Sequence, residues 1–157
     1  MYVIPDHDVD PTPGGPIVVG VDDSEFSVAA LRFALDEALR RSTWVRAVTA
    51  YQLQMVSIPL EPGVIASFEQ AEHDDAVAMS ERLLGQARTD ETQKVQADFL
   101  IVQGTTVEAI LAHAKDAQLI AVGSHGRGPV RRLLLGSVSR RLLYQTDRPV
   151  AVVGLRH

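Results

Sequence analysis

The chain of 157 residues has no cysteine. Disulfides, thiolate metal sites and cysteine nucleophiles are therefore excluded. Cations are in short supply too. Fifteen Lys and Arg stand against twenty Asp and Glu, for a formal net charge of −5. That balance argues against a general nucleic-acid binder, which usually carries a basic face. No apolar run approaches the roughly 20 residues of a membrane span. The opening "MYVIPDHDVD" lacks the basic and apolar regions of a secretory signal, so a cytoplasmic location is the default expectation. No Gly-Lys-Ser/Thr follows any glycine cluster, so there is no Walker-type phosphate loop. The five histidines are scattered, and none has metal-ligand spacing.

What is present suits one domain with a real core, since the chain is 46% hydrophobic and long enough to bury one. Residues 1–15 hold three prolines and two glycines with little apolar periodicity. They read as a flexible arm, leaving 16–157 as the folded domain. "PIVVGVD", Pro16 to Asp22, is a continuous apolar run of the kind that forms a strand buried on both faces. Ser24 is placed to cap a helix, in which Ala30, Phe33, Ala34, Ala38 and Leu39 recur on one side and Asp36, Glu37, Arg40 and Arg41 on the other. "WVRAVTAY" is a second strand. A looser section runs from Gln52 to Gly63. A long polar helix is expected from about Ala66 to Arg88, with Ala71, Ala78, Leu83 and Leu84 as its thin apolar stripe. "VQADFLIV" is a third strand, "TTVEAILAHAKD" a short helix capped by Thr105 or Thr106, and "QLIAVG" a fourth strand ending at Gly123. A helix from about Gly136 to Gln145 and the strand "PVAVVG" close the chain.

Strands and helices alternate throughout, which predicts an α/β fold: one doubly wound sheet of five parallel strands with helices on both faces. Ligands of such sheets lie beyond the carboxyl ends of the strands, where the strand order reverses. Asp22 and Gly123 are the residues to examine there.

The stretch that follows Gly123, "GSHGRGPVRRLLLGSVSRR", gathers four glycines and five of the fifteen cations and has no acid. Two residues separate Gly123 from Gly126, nine separate Gly126 from Gly136, and Ser137 comes next. Glycine lets backbone approach a ligand closely, so Gly126 can present its N–H to a phosphate. Gly136, Ser137, Val138 and Ser139 open a helix, whose unpaired N–H groups and dipole make an anion site. The hydroxyls of Ser137 and Ser139 would add donors.

This spacing, with "VVGVDDSEFSVAAL" at the front and "TDRPVAVV" at the end, resembles the ATP-binding branch of the universal stress protein family from Pro16 to Val153. The resemblance implies a strand order of 3-2-1-4-5. It implies that Asp22 contacts the ribose and adenine region, that Gly20 and Val21 flank the adenine, and that the backbone of Ala50 reads the adenine edge. Val122 and Gly123 would line base and ribose. Arg127 is a candidate for helping a γ-phosphate, while Arg140 and Arg141 read as a solvated face, as does much of the charge on helices. His125 reads as a loop donor rather than a catalyst. Asp23 departs from the family, which often has glycine there. A second carboxylate near the phosphates either weakens affinity or helps hold a metal such as Mg2+, and both remain open.

A catalyst for phosphoryl transfer needs a residue to position water, metal ligands and a charge clamp, and no such constellation stands out. The leading expectation is an ATP-binding stress-response regulator or sensor with little or no hydrolysis. Its partners would be an adenine nucleotide and a second copy joined through the last strand, with no nucleic acid and no membrane. The alternatives are a slow ATPase or other nucleotide-using enzyme of related fold, and a dimeric interaction module with an empty site.

Overall fold

The run Ile17–Val21 explains the architecture around it. Successive side chains of a strand point to opposite faces, and here both faces are apolar. Ile17, Val19 and Val21 enter one core with Leu31, Leu35 and Leu83. Val18 enters another with Val48, Ile110, Ile120 and Leu142. A strand with no polar side must be covered twice, and the molecule is built as that requirement dictates. The computed structural model describes residues 2–3, 14–53, 59, 61–125 and 135–155.

In chain order the elements are β1 (Tyr2–Val3), β2 (Ile17–Val21), α1 (Glu25–Arg40), β3 (Val45–Tyr51), α2 (Pro62–Ala87), β4 (Ala97–Gln103), α3 (Thr106–His113), β5 (Leu119–Gly123), α4 (Ser137–Gln145) and β6 (Val150–Val153). The sheet runs β1-β6-β5-β2-β3-β4. Strands β2 to β6 are parallel neighbours, so the five parallel strands lie in the expected order 3-2-1-4-5. Helices α1 and α2 pack on one face and α3 and α4 on the other. Among the described residues, no helix is long and apolar enough to cross a membrane.

Four local findings refine the sequence reading. Tyr2–Val3, within the stretch expected to be a flexible arm, adds a sixth strand antiparallel to β6. Helix α2 starts four residues early because Pro62 sits at its first turn, where a missing N–H costs nothing. Its buried residues are Ala76, Ser80, Leu83 and Ala87. Ala71 and Ala78 are exposed, and no residue before Ala76 is buried. The apolar stripe therefore starts later than expected and includes a serine, whose hydroxyl is satisfied at 2.8 Å by Thr49. On α1 the expected faces change at two positions. Leu39 is exposed. Glu37 is buried and gripped by Arg40 and Arg41 from its own helix, as a buried carboxylate requires.

Candidate functional site

The strand order reverses between β2 and β5, which are adjacent. Chain leaving β2 turns into α1 and chain leaving β5 runs on toward α4, so a crevice opens beyond Val21 and Gly123. A cavity of about 100 Å³ lies there, lined by Gly20, Val21, Asp22, Val122, Gly123, Gly136, Ser137, Val138 and Ser139 together with Ser27, Thr106 and His125. Nine of the twelve expected binding residues are thus gathered at one place. Ala50 lines a second cavity of about 520 Å³ that shares Val21 and Asp22 with the first. Gly126 and Arg127 lie outside the described residues. Arg140 and Arg141 are exposed on α4.

The starts of α1 and α4 face this crevice and are built differently. At α1, the Ser24 side chain accepts from the Ser27 N–H at 3.3 Å, the usual N-cap contact. The hydroxyls of Ser24 and Ser27 both donate to Asp22 Oδ1, at 2.5 and 2.7 Å, and the Asp22 N–H donates to Ser27 Oγ at 2.8 Å. At α4 the N-cap is Gly136, which has no side chain to offer and makes no side-chain cap bond. The first helical bond of α4 runs from Arg140 N–H to the Gly136 carbonyl. The N–H groups of Ser137, Val138 and Ser139 precede it and have no acceptor within the helix. All three residues line the cavity.

Two donors expected at the site are spent elsewhere. The Gly136 N–H donates to the Ser124 carbonyl at 2.9 Å. The Ser139 hydroxyl donates to the Gly136 carbonyl at 3.0 Å. The Gly136 backbone lies close against Ser124, whose carbonyl oxygen would be 3.0 Å from an added Cβ. Gly123 is tighter still, since a Cβ there would stand 2.7 Å from Phe26 Cβ and 3.2 Å from Phe26 backbone. These glycines bring α4 and α1 close to the strand ends, and the cleft floor follows from that closeness.

Ser27, Thr106 and His125 complete the lining. Thr105, not Thr106, caps α3, with a reciprocal contact to Glu108, which leaves Thr106 at the cavity. The Asp22-Ser24-Ser27 spacing was the available signal for Ser27, since each short polar side chain can bond backbone two or three residues on. The ring of His125 lies 5.3 Å from that of Phe26, and its Nδ1 is 3.1 Å from Ser124 Oγ. Asp23 does not line the smaller cavity. It pairs with Arg82 of α2 at 2.8 Å, with both side chains half exposed, and it borders the larger cavity. Among the described residues, no group of three or more His, Cys, Asp or Glu could hold a metal ion.

Residues 15–154 match the model of the universal stress protein family. The chain belongs to that family. A universal stress protein of Mycobacterium tuberculosis is 35% identical over 139 residues, covering 87% of this chain and 44% of the relative. One of Mycolicibacterium smegmatis is 33% identical over 138 residues, covering 88% of this chain and 45% of the relative. The chain thus spans less than half the length of these relatives. Among solved structures, the universal stress protein UspA from Lactobacillus plantarum superposes with a TM-score of 0.71 at 24% identity, over 89% of this chain and 97% of that one. A universal stress protein solved in complex with cAMP superposes with a TM-score of 0.62 at 23% identity, over 89% and 97%. At these identities the two structures establish likeness of fold.

Proposed function

We propose that the chain is an adenine-nucleotide-binding member of its family, that ATP is its ligand, and that it works as a ligand-dependent stress-response regulator or sensor in the cytoplasm. The observation that carries this reading is the uncapped start of α4. Three amides, of Ser137, Val138 and Ser139, open onto a cavity whose one carboxylate, Asp22, is already engaged by two serine hydroxyls. Free amides and a helix N-terminus without an acidic cap attract an anion. Both serines bond Oδ1, which leaves Oδ2 of Asp22 to accept from a ribose hydroxyl. The phosphates belong in the smaller cavity. The base belongs past Val21 and Asp22 in the larger one, beside the backbone of Ala50. A relative of like fold has been solved with cAMP, and another, with a TM-score of 0.50, with dAMP. Both carry adenine and phosphate.

Binding without rapid turnover is part of the proposal, because the sequence carries no constellation of water-positioning residue, metal ligands and charge clamp that stands out. Mg2+ would accompany the ATP phosphates rather than occupy a dedicated protein site, and Asp23 is held aside by Arg82. The test is mass spectrometry of ligand released from the purified protein, followed by calorimetry with ATP, cAMP and adenosine. ATP binding well above adenosine supports the reading, and equal affinity for both overturns the role of the α4 amides. Steady-state phosphate release above about 1 per second, the ordinary range of enzymes, would mark a catalyst instead.

A further inference from the structure

The smaller cavity has a wall that the glycine spacing does not account for. Ser137, Val138 and Ser139 of α4 form one side of it, and Thr106, the first residue of α3, lines it as well. The helix period explains how Thr106 comes to be there. Ile110 is fully buried and lies hard against β2, where a Cβ added to Gly20 would stand 2.6 Å from Ile110 Cδ1. Residues four apart share one face of a helix. Thr106 therefore stands one turn from Ile110 on the side of α3 that meets β2, at the end of that strand. Its hydroxyl has no local task. The α3 cap is Thr105, whose Oγ1 accepts from the Glu108 N–H at 3.3 Å and donates to the Glu108 carboxylate at 2.8 Å. A threonine within a helix can bond a carbonyl three or four residues back, but no turn of helix precedes the first helical position. Among the described residues, the Thr106 hydroxyl has no hydrogen-bond partner.

We propose that Thr106 is a phosphate-binding residue, which closes a clamp with the α4 amides from the opposite wall; this rests on the reading of the chain as a binder of adenine nucleotides. The α4 amides donate from one side and in fixed directions. A tetrahedral phosphate carries oxygens on every side, so one of them is turned away from α4. A threonine hydroxyl can rotate its single O–H to meet that oxygen, and a bond to an ionised acceptor is shorter and stronger than a neutral one. The competing hydroxyls are already committed. Ser27 donates to Asp22 and Ser139 to the Gly136 carbonyl. Asp22, the one carboxylate of the lining, is held by Ser24 and Ser27, so it does not draw the Thr106 proton away. Discrimination between a nucleotide and its nucleoside is thus shared between the backbone of α4 and a side chain of α3.

Calorimetry with ATP and adenosine tests this on three chains. Thr106→Val keeps the branched shape and removes the hydroxyl, whereas Thr106→Ser keeps the hydroxyl. From the strength of a hydrogen bond to a charged group, Thr106→Val should lower ATP affinity about tenfold and hold adenosine affinity within about twofold. Thr106→Ser should recover most of the ATP binding. Thermal unfolding without nucleotide should be the same for the unaltered chain and Thr106→Val, because no protein bond is lost, while the rise in midpoint on adding ATP should shrink. Equal ATP affinity in the unaltered chain and Thr106→Val overturns the proposal. So does a loss shared equally by ATP and adenosine, and so does a Thr106→Ser chain as weak as Thr106→Val. In each of those outcomes the unaltered chain still prefers ATP to adenosine, and the wider reading stands. An unaltered chain that binds both equally, or neither, overturns that reading and the role of Thr106 with it.

Discussion

The starts of α1 and α4 lie across one crevice and solve the same problem in opposite ways. Every helix begins with N–H groups that its own backbone cannot satisfy. At α1 the chain supplies Ser24 from within, and Ser27 and Asp22 tie the turn into a closed set of bonds. At α4 it supplies Gly136, which brings the backbone against Ser124 and contributes no cap. The first arrangement gains stability locally. The second leaves polar groups that only a ligand or water can satisfy. The contrast teaches where to look for function in a sheet of this kind: at the helix start whose sequence declines an available cap.

The largest test of that contrast closes the open end. Gly136→Glu places a carboxylate among the α4 amides and a Cβ 3.0 Å from the Ser124 carbonyl oxygen. Losing two charge-assisted phosphate contacts, each worth about 1.5–3 kcal/mol, should lower ATP affinity at least ~100-fold by calorimetry. A negative charge favours a helix start, so the variant should still fold, with a small loss as Ser124 yields. Arg141→Glu reverses a charge on the exposed side of the same helix and should change affinity less than ~3-fold, as expected of a solvated charge. The reverse ranking would mean that arginines rather than amides carry the site.

Opening the closed end should do the opposite. Ser24→Ala removes the α1 cap and should cost about 1 kcal/mol of stability in denaturant unfolding, with ATP affinity held within about threefold. A large loss of affinity here would mean that α1 also binds phosphate.

A smaller effect separates the two serines of α4. Ser139 is 1% exposed and its hydroxyl is spent on the Gly136 carbonyl. Ser139→Ala should therefore lower stability by about 0.5–1.5 kcal/mol and leave affinity nearly unchanged. Ser137, exposed and at the cavity, should show the converse on replacement by Ala.

The smallest effect is a control at the far end of the sheet. Burial raises the Asp116 carboxyl, but the hydrogen bond and charge of Arg46 outweigh it and hold the group below its ordinary range. A lowered folded value contributes stability above the unfolded value of about 3.9, lost as pH falls through the folded one. The Asp116 side chain is 53% exposed, so Asp116→Asn should cost less than about 1 kcal/mol at neutral pH. That difference should vanish in acid, with ATP affinity unaltered.

The five parallel strands were legible because each is a largely apolar run between turn residues, and such runs need no distant information to be read. The caps of α1 and α3 were legible for the same reason, since Ser24 and Thr105 act within one turn. The apolar face of α2 was not. Its first 14 residues bury nothing, so a stripe counted along the whole helix averages a free half with a packed half. The reason for the glycines was also hidden. Gly123 and Gly136 read as ligand contacts, and the structure adds a packing reason: a Cβ would stand 2.7 Å from Phe26 Cβ at Gly123 and 3.0 Å from the Ser124 carbonyl oxygen at Gly136. Asp23 read as an open question because its partner, Arg82, is 59 positions away.

By itself the sequence determined the alternation of elements, the five parallel strands, the glycine spacing at the end of β5 and the family to which the chain belongs. These follow from periodicity and short-range geometry, which act over a few residues. Only the tertiary structure decided which amides stay free, which carboxylate is already held, and that Tyr2–Val3 seals the edge of β6. Each of those depends on groups far apart in the chain arriving side by side, and packing, not local preference, settles which of them meet.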